Sequence, residues 1–218
     1  MKHEAFALVG PPNGGKGTAA DAITERCPSL FNYIATGDLI RHAMKQDTPM
    51  GRRLKECIPK GGFAEDDDVL ELFMQRLDLD ERINRYIPGT HILLLDGVLR
   101  TEYEAIKLET HLNIRTIYLF DKIPKSKSYR RMQERVETAI AEGELPRPED
   151  TPAALERRLL EYEQITLPMM KYYKRKNVKI CRIDASQSKE KVAAEILVHM
   201  KGLLRSEMQA TTRKYTNS

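Results

Sequence analysis

The sequence is poor in cysteine, in long apolar runs and in excess charge of either sign. Its three cysteines, Cys27, Cys57 and Cys181, lie far apart and form no Cys-x-x-Cys pair. An odd, scattered set supports neither a disulfide framework nor a cysteine-rich zinc site, and a reducing compartment is the simpler expectation. No apolar run approaches the length of a membrane span, and no h-region with a cleavage site follows Met1. A cytoplasmic protein without a membrane partner is expected. With 36 Lys and Arg against 32 Asp and Glu, the net charge of +4 is too mild to argue for a nucleic-acid partner. The histidines (His3, His42, His91, His111, His199) show no spacing suited to a catalytic triad and read as structural or surface groups. Internal repeats and low-complexity tracts are absent as well.

What is present suffices for one core. With 41% hydrophobic and 31% charged residues, the 218-residue chain fits a single α/β domain with insertions. It is organised around Gly10-Pro11-Pro12-Asn13-Gly14-Gly15-Lys16-Gly17-Thr18, between the apolar run Phe6–Val9 and a helix-like segment from Thr18. Strand, glycine-rich turn and helix form the context a phosphate-binding loop requires. Glycines let several N–H groups converge on a phosphate, the helix N-terminus adds its positive end, and Lys16 adds a mobile full charge. Gly17 delays the loop hydroxyl to Thr18. A glycine-rich turn with an incidental lysine is the simpler alternative, and pattern and context together count against it.

Further strands are expected at Phe31–Ala35, His91–Asp96, Asn113–Phe120 and Val178–Asp184. The helix after the loop should stop near Cys27-Pro28. Residues 38 to about 80 read as helical pieces broken at Thr48-Pro49 and Pro59-Lys60-Gly61-Gly62. Other helices are expected over 101–111, 124–141, 152–175 and 188–204, and residues 205–218 read as a frayed or mobile polar tail. The run Glu65-Asp66-Asp67-Asp68 raises metal binding; without EF-hand spacing, acids offsetting a helix dipole are the better reading. Asp96, at the end of a buried strand downstream of the phosphate loop, stands where a Walker-B acid belongs. Alternating strands and helices imply a parallel sheet with helices on both faces and ligands at its C-terminal edge.

Arginines recur near that edge: Arg41 one turn past strand two, Arg100 just past Asp96-Gly97, Arg131 and Arg135 four apart, and Arg147 and Arg158 about a helix start. Taken singly, each is an ordinary surface residue. Jointly they suit a second phosphate group and a phosphoryl group in flight. The acceptor such a site would take, a phosphate monoester with its second pKa of about 6, is largely dianionic at neutral pH and needs no general base.

These stretches resemble the adenylate kinase branch of the nucleoside monophosphate kinases. Gly10–Thr18 is similar to the family's GxPGxGKGT loop, Thr36-Gly37-Asp38-Leu39-Ile40-Arg41 to TGDLLR, and Leu95-Asp96-Gly97-Val98-Leu99-Arg100-Thr101 to LDGFPRT. Arg131-x3-Arg135, then Arg147-Pro148-Glu149-Asp150 with Arg158-Leu159, resemble its arginine signatures. Thr166-Leu167-Pro168 with Tyr172-Tyr173, then Ile183-Asp184, complete the order over about residues 6 to 200.

The resemblance implies a P-loop kinase core with a five-stranded parallel sheet in the order 2-3-1-4-5. It implies one domain over residues 1–204, a helical monophosphate-binding insertion at about 37–80 and a short lid at about 136–147. The lid stretch holds no cysteine, so no structural zinc is expected, and a monomer is expected. The implied reaction is reversible, Mg2+-dependent transfer of the ATP γ-phosphoryl to AMP, giving two ADP. Gly10, Pro12, Asn13, Gly14, Gly15, Lys16, Gly17 and Thr18 would hold the donor phosphates, with Arg131, Arg135 and Ala185 also on the donor. Thr36, Gly37, Arg41, Gly97, Arg100 and Glu104 would meet the acceptor, and Arg147 and Arg158 would close on the phosphates. Lys16, Arg100, Arg135, Arg147 and Arg158 would carry catalysis, and Asp96 would hold Mg2+ through water.

Four positions depart from the pattern. Asn13 replaces a loop glycine, a change asparagine tolerates in left-handed backbone. Val98-Leu99 replaces Phe-Pro, which should loosen the turn before Arg100. Glu104 replaces the glutamine that reads the acceptor adenine, and an ionised carboxylate only accepts. Ala185 replaces a glycine at the donor base. Two alternatives stay open: a sibling acting on UMP or CMP, against which Thr36 speaks, and a nucleotide-binding regulator with little turnover.

Overall fold

The structure, a computed structural model, describes residues 2–216, with side chains to residue 205. Strands β1 (His3–Val9), β2 (Phe31–Ala35), β3 (Ile92–Asp96), β4 (Leu112–Asp121) and β5 (Lys179–Asp184) form one sheet in the order β2-β3-β1-β4-β5. Every neighbouring pair is parallel. Leu95 is in register with both Ala7 and Ile34, and Val9 with Leu119, so the C-terminal strand ends lie side by side.

Both faces of the sheet are covered at its centre, which is why β3 and the second half of β1 are continuous apolar runs rather than alternating. Ala5, Ala7 and Val9 of β1 join one cluster, packed with Phe73, Leu77, Leu108, Met169 and Tyr173. Phe6 and Leu8, one residue out of phase, join the opposite cluster with Ala20, Ile23, Ile196 and Met200. Period-two alternation therefore decides the layer each residue serves, not whether it is buried.

The helices are α1 (Lys16–Arg26), α2 (Thr36–Met44), α3 (Pro49–Cys57), α4 (Asp66–Arg82), α5 (Glu102–Leu108), α6 (Lys125–Ala141), α7 (Pro152–Glu161), α8 (Leu167–Arg175) and α9 (Lys189–Thr216). Their starts follow local chemistry. Thr48, Thr101 and Thr151 each accept a first-turn N–H, from Gly51, Glu104 and Ala154, and Pro49 and Pro152 occupy early positions where no donor is needed. The acidic run opens α4, and its carboxylates are taken by protein donors: Asp68 by Arg53, Asp66 by Thr101 and Asp67 by Tyr103.

The expected single helix over 152–175 is divided. A π-helical turn, Tyr162–Thr166, joins α7 to α8. Pro168 has no N–H to return to the carbonyl four residues back, and the ladder widens around that missing donor. The helix expected over 101–111 is shorter, Glu102–Leu108, because Thr101 is its cap. The stretch expected as a tail from 205 is helical as far as Thr216, as part of α9; side chains from 206 on, and the expected fraying there, lie outside the described residues. The stretch 136–147 is helix to Ala141, then turns at Gly143, whose φ is 74°. No helix among the described residues is long and apolar enough to cross a membrane.

Leu94 sits mid-strand with no exposed surface. Leu94→Ala should lower unfolding stability by about 2–5 kcal/mol, read by urea denaturation, with no change in m-value.

Candidate active site

The site grows from the turn between β1 and α1. Gly10 leaves the strand where a Cβ would lie 2.6 Å from the Phe120 Cβ, so no larger residue fits. Asn13 takes left-handed backbone, φ 58°, and donates from Nδ2 to the Ser128 carbonyl at 3.3 Å. The asparagine thus keeps the shape of the loop and adds a tether to α6. Gly15, φ 90°, caps α1. That helix start carries no side-chain cap and no acid in its first turn, leaving its positive end uncompensated by its own residues.

Lys16 spans the loop, donating from Nζ to the Gly10 and Pro11 carbonyls at 3.0 Å each. Burial lowers its pKa, Arg158 pushes the same way, and Asp96 opposes both. Asp96 ends β3 and accepts from the Tyr33 hydroxyl at 3.4 Å; burial raises its pKa, with Lys16 offsetting. Thr36 opens α2 beside Gly97. It is buried, and its Oγ1 has no hydrogen-bond partner among the described residues.

The arginines gather around one cleft of about 1080 Å³, lined by the phosphate loop, the β2–α2 and β3–α5 turns, α6, the loop before α7 and the β5–α9 turn. That volume lies at the upper end of the ~300–1,000 Å³ usual for a small-molecule site. Arg131 donates to the Asn13 and Ala185 carbonyls at 3.1 and 3.4 Å, tying the loop to the end of β5. Arg135 grips Asp150 with two donors, the Nε contact at 2.8 Å. Arg41 pairs with Asp38 and, across the cleft, with buried Glu149 at 2.8 Å. Arg147 and Arg158 also line the cleft, and their guanidinium groups have no hydrogen bond or ion pair among the described residues. Enclosure in the cleft lowers both their pKa values, with Arg41 and Arg135 adding to the effect at Arg147 and Glu149 opposing it at Arg158. Cations crowded in this way, with two guanidinium forks unpaired, make a receptor for a multiply charged anion.

The residues expected at the site line this cleft, with Glu104 as the exception. It is fully buried. Its carboxylate accepts from the Arg100 backbone N–H at 2.6 Å and from Arg100 Nη2 at 3.2 Å, because the Thr101 cap turns the first residues of α5 back toward Arg100. The Glu104 carboxylate is thus turned to Arg100. The Val98 and Leu99 side chains before Arg100 are buried, and Leu99 lies at φ 72°.

Sequence reasoning missed the anionic half of the cleft. Asp38 sits in the same motif as Arg41, and that adjacency was the available signal; Glu149 and Asp150 sit beside Arg147 but pair with Arg41 and Arg135 of other motifs. Phe63, whose ring lies 4.5 Å beneath the Arg100 guanidinium, gave no signal, since a turn far away in sequence delivers it.

A parallel P-loop sheet of this order, with an arginine-walled cleft at its C-terminal edge, defines a phosphotransferase of the nucleoside monophosphate kinase class. The family model described as Adenylate kinase matches residues 8–178. Proteins named adenylate kinase from Sinorhizobium medicae and Rhizobium meliloti are each 34% identical over 193 residues, covering 87% of this chain and 95% of theirs. One of the same name from Nitrobacter hamburgensis is 31% identical, covering 87% of this chain and 88% of its own. The chain belongs to the adenylate kinase family.

The left-handed backbone at position 13 gives a direct check. Asn13→Gly should leave the KM for the phosphoryl donor within about threefold. Asn13→Val, β-branched where φ is positive, should cost at least ~1–2 kcal/mol, read as roughly a tenfold rise in that KM.

Proposed function

We propose that this chain transfers the γ-phosphoryl group of ATP to AMP, reversibly, giving two ADP. The observation that carries the reading is the pair of unpaired guanidinium groups, Arg147 and Arg158, in a cleft shared by the phosphate loop and the buried, unpartnered Thr36 hydroxyl. In this reading Gly10–Thr18 holds the donor phosphates, and Arg131 and Ala185 flank the donor. Thr36 Oγ1 meets the acceptor base, and Arg41 and Arg100 take the acceptor phosphate. Residues 37–80 form the acceptor-binding segment and 136–147 the short lid. The protein acts as a monomer in the cytoplasm.

The chemistry needs little beyond placement and charge. An ionised acceptor phosphate is already a nucleophile, so the task is to bring two anions together. At ~4 Å, one pair of unit charges repels by ~1 kcal/mol in water and by ~4 kcal/mol at an effective dielectric of 20. Lys16, Arg147 and Arg158 offset that repulsion and hold the groups in line. Lys16 can leave its two loop carbonyls for phosphate oxygens with its charge retained, exchanging weak acceptors for stronger ones.

The donor set also fits Mg2+. Asp96 brings a half-buried carboxylate from the end of β3 to the cleft, and Thr18 brings a hydroxyl to the start of α1. One carboxylate, one hydroxyl, phosphate oxygens and water are what Mg2+ commonly uses. Asp96 and Thr18 would hold it, and the bound ion supplies positive charge shared between the donor phosphates.

The sibling reading, transfer to UMP or CMP, has one observation in its favour: Glu104 does not line the cleft, leaving no amide or carboxylate at that position to read adenine. A coupled assay offering AMP, CMP, UMP and GMP with ATP and Mg2+ separates the readings. Fastest turnover with AMP is expected. Turnover with a pyrimidine nucleotide alone would establish the sibling, and ATP binding without turnover would establish a regulator. Lys16→Met should lower kcat on the order of 10²–10³-fold with an unchanged circular dichroism spectrum; near-normal kcat would remove the phosphate-loop assignment.

A further inference from the structure

We propose that Glu104 is a positioning residue for Arg100 and does not read the acceptor base. The proposal rests on the monophosphate kinase reading given above. Glu104 has no exposed surface. The Thr101 hydroxyl accepts its backbone N–H at 3.1 Å and itself donates to Asp66 at 2.8 Å, which fixes the first turn of α5. From there the carboxylate binds Arg100 twice. One oxygen takes the backbone N–H at 2.6 Å and the other takes Nη2 at 3.2 Å.

The two bonds do different work. The backbone bond secures the segment after Leu99, whose φ of 72° is a conformation leucine seldom adopts. The side-chain bond fixes the guanidinium plane, which is also supported by the Phe63 ring at 4.5 Å. Arg100 lines the cleft and Glu104 does not. A buried carboxylate thus spends both of its oxygens on one arginine, aiming a cation at the acceptor end of the cleft before any substrate arrives. An amide at this position cannot repeat the arrangement. Its oxygen would accept one of the two donors, and its NH2 group would meet the other donor head-on.

Holding an arginine acts on the acceptor phosphate, which all nucleoside monophosphates share. Reading a base acts on one monophosphate against another. Glu104→Gln should therefore raise the acceptor KM by about 10- to 100-fold, the scale of losing a charge-assisted hydrogen bond. That factor should be the same, within about threefold, for every monophosphate the wild-type chain turns over. The KM for ATP should move by less than about twofold. In an Arg100→Ala background, adding Glu104→Gln should leave the acceptor KM unchanged, since the group being positioned is gone. Should Glu104→Gln fail to fold, Glu104→Asp, with the charge drawn back by one methylene, carries the same expectation. An effect confined to AMP would overturn the proposal by making Glu104 a base reader. An acceptor KM unchanged by Glu104→Gln, or equal losses in both backgrounds, would overturn it as well. A wild-type chain that turned over no monophosphate would overturn the reading beneath it, and the proposal with it.

Discussion

Everything in the cleft answers to the repulsion between like charges. Arg41, Arg100, Arg131, Arg135, Arg147, Arg158 and Lys16 all line one space. Without partners, cations gathered in one cleft would repel one another. The fold offsets this with carboxylates seated among the cations: Glu149 on Arg41, Asp150 on Arg135, Glu104 on Arg100. Arg131 is satisfied instead by main-chain carbonyls of the two turns it joins. The acids hold the cations in place and reduce the net positive charge of the cleft wall.

This arrangement depends on the sheet more than on any helix. Parallel strands in register bring the phosphate loop, Thr36, Asp96, Arg100 and Ala185 to one edge, though they are spread over most of the chain. Burial on both faces makes that edge rigid. Rigidity in turn permits unfavourable backbone where the site needs it. Asn13 and Leu99 both lie at positive φ beside the cleft, and each is held there by its surroundings: Asn13 by a bond to Ser128, Leu99 by burial and by the Glu104 bond to the next residue. Strain of ~1–3 kcal/mol per residue persists only where neighbours over-determine it.

What could be read from the sequence follows from the range of the interactions. The phosphate loop was legible because strand, glycines, lysine and helix are contiguous, and its chemistry is largely local. Strand positions were legible because a doubly covered parallel sheet writes continuous apolar runs. Proline positions marked the helix breaks at Thr48-Pro49 and Pro59, yet the π-helical turn at Tyr162–Thr166 was not legible, since a missing donor at Pro168 allows either an end or a widened turn. The orientation of Glu104 was not legible for a deeper reason. Its place in the chain matched a base-reading position, but its direction depends on where Arg100 points and on the Asp66–Thr101 contact between two helices distant in sequence. Phe63 and Glu149 likewise act across the cleft, on partners that spacing does not reveal.

The cations of the cleft therefore fall into two populations with different thermodynamic roles. Arg41, Arg100 and Arg135 are neutralised in place, and a phosphate that engages them must share or displace a carboxylate, so their net contribution to affinity is a difference between two charge-assisted contacts. Arg147, Arg158 and Lys16 hold no carboxylate, and partial desolvation by the cleft walls lowers the pKa of each, Arg147 being the most exposed of the three. An arriving anion relieves that cost directly. Binding strength is thus expected to be concentrated on the unpaired group, and geometry on the paired one. Such a division suits phosphoryl transfer, in which positioning and stabilisation of charge are nearly the whole of the catalytic task.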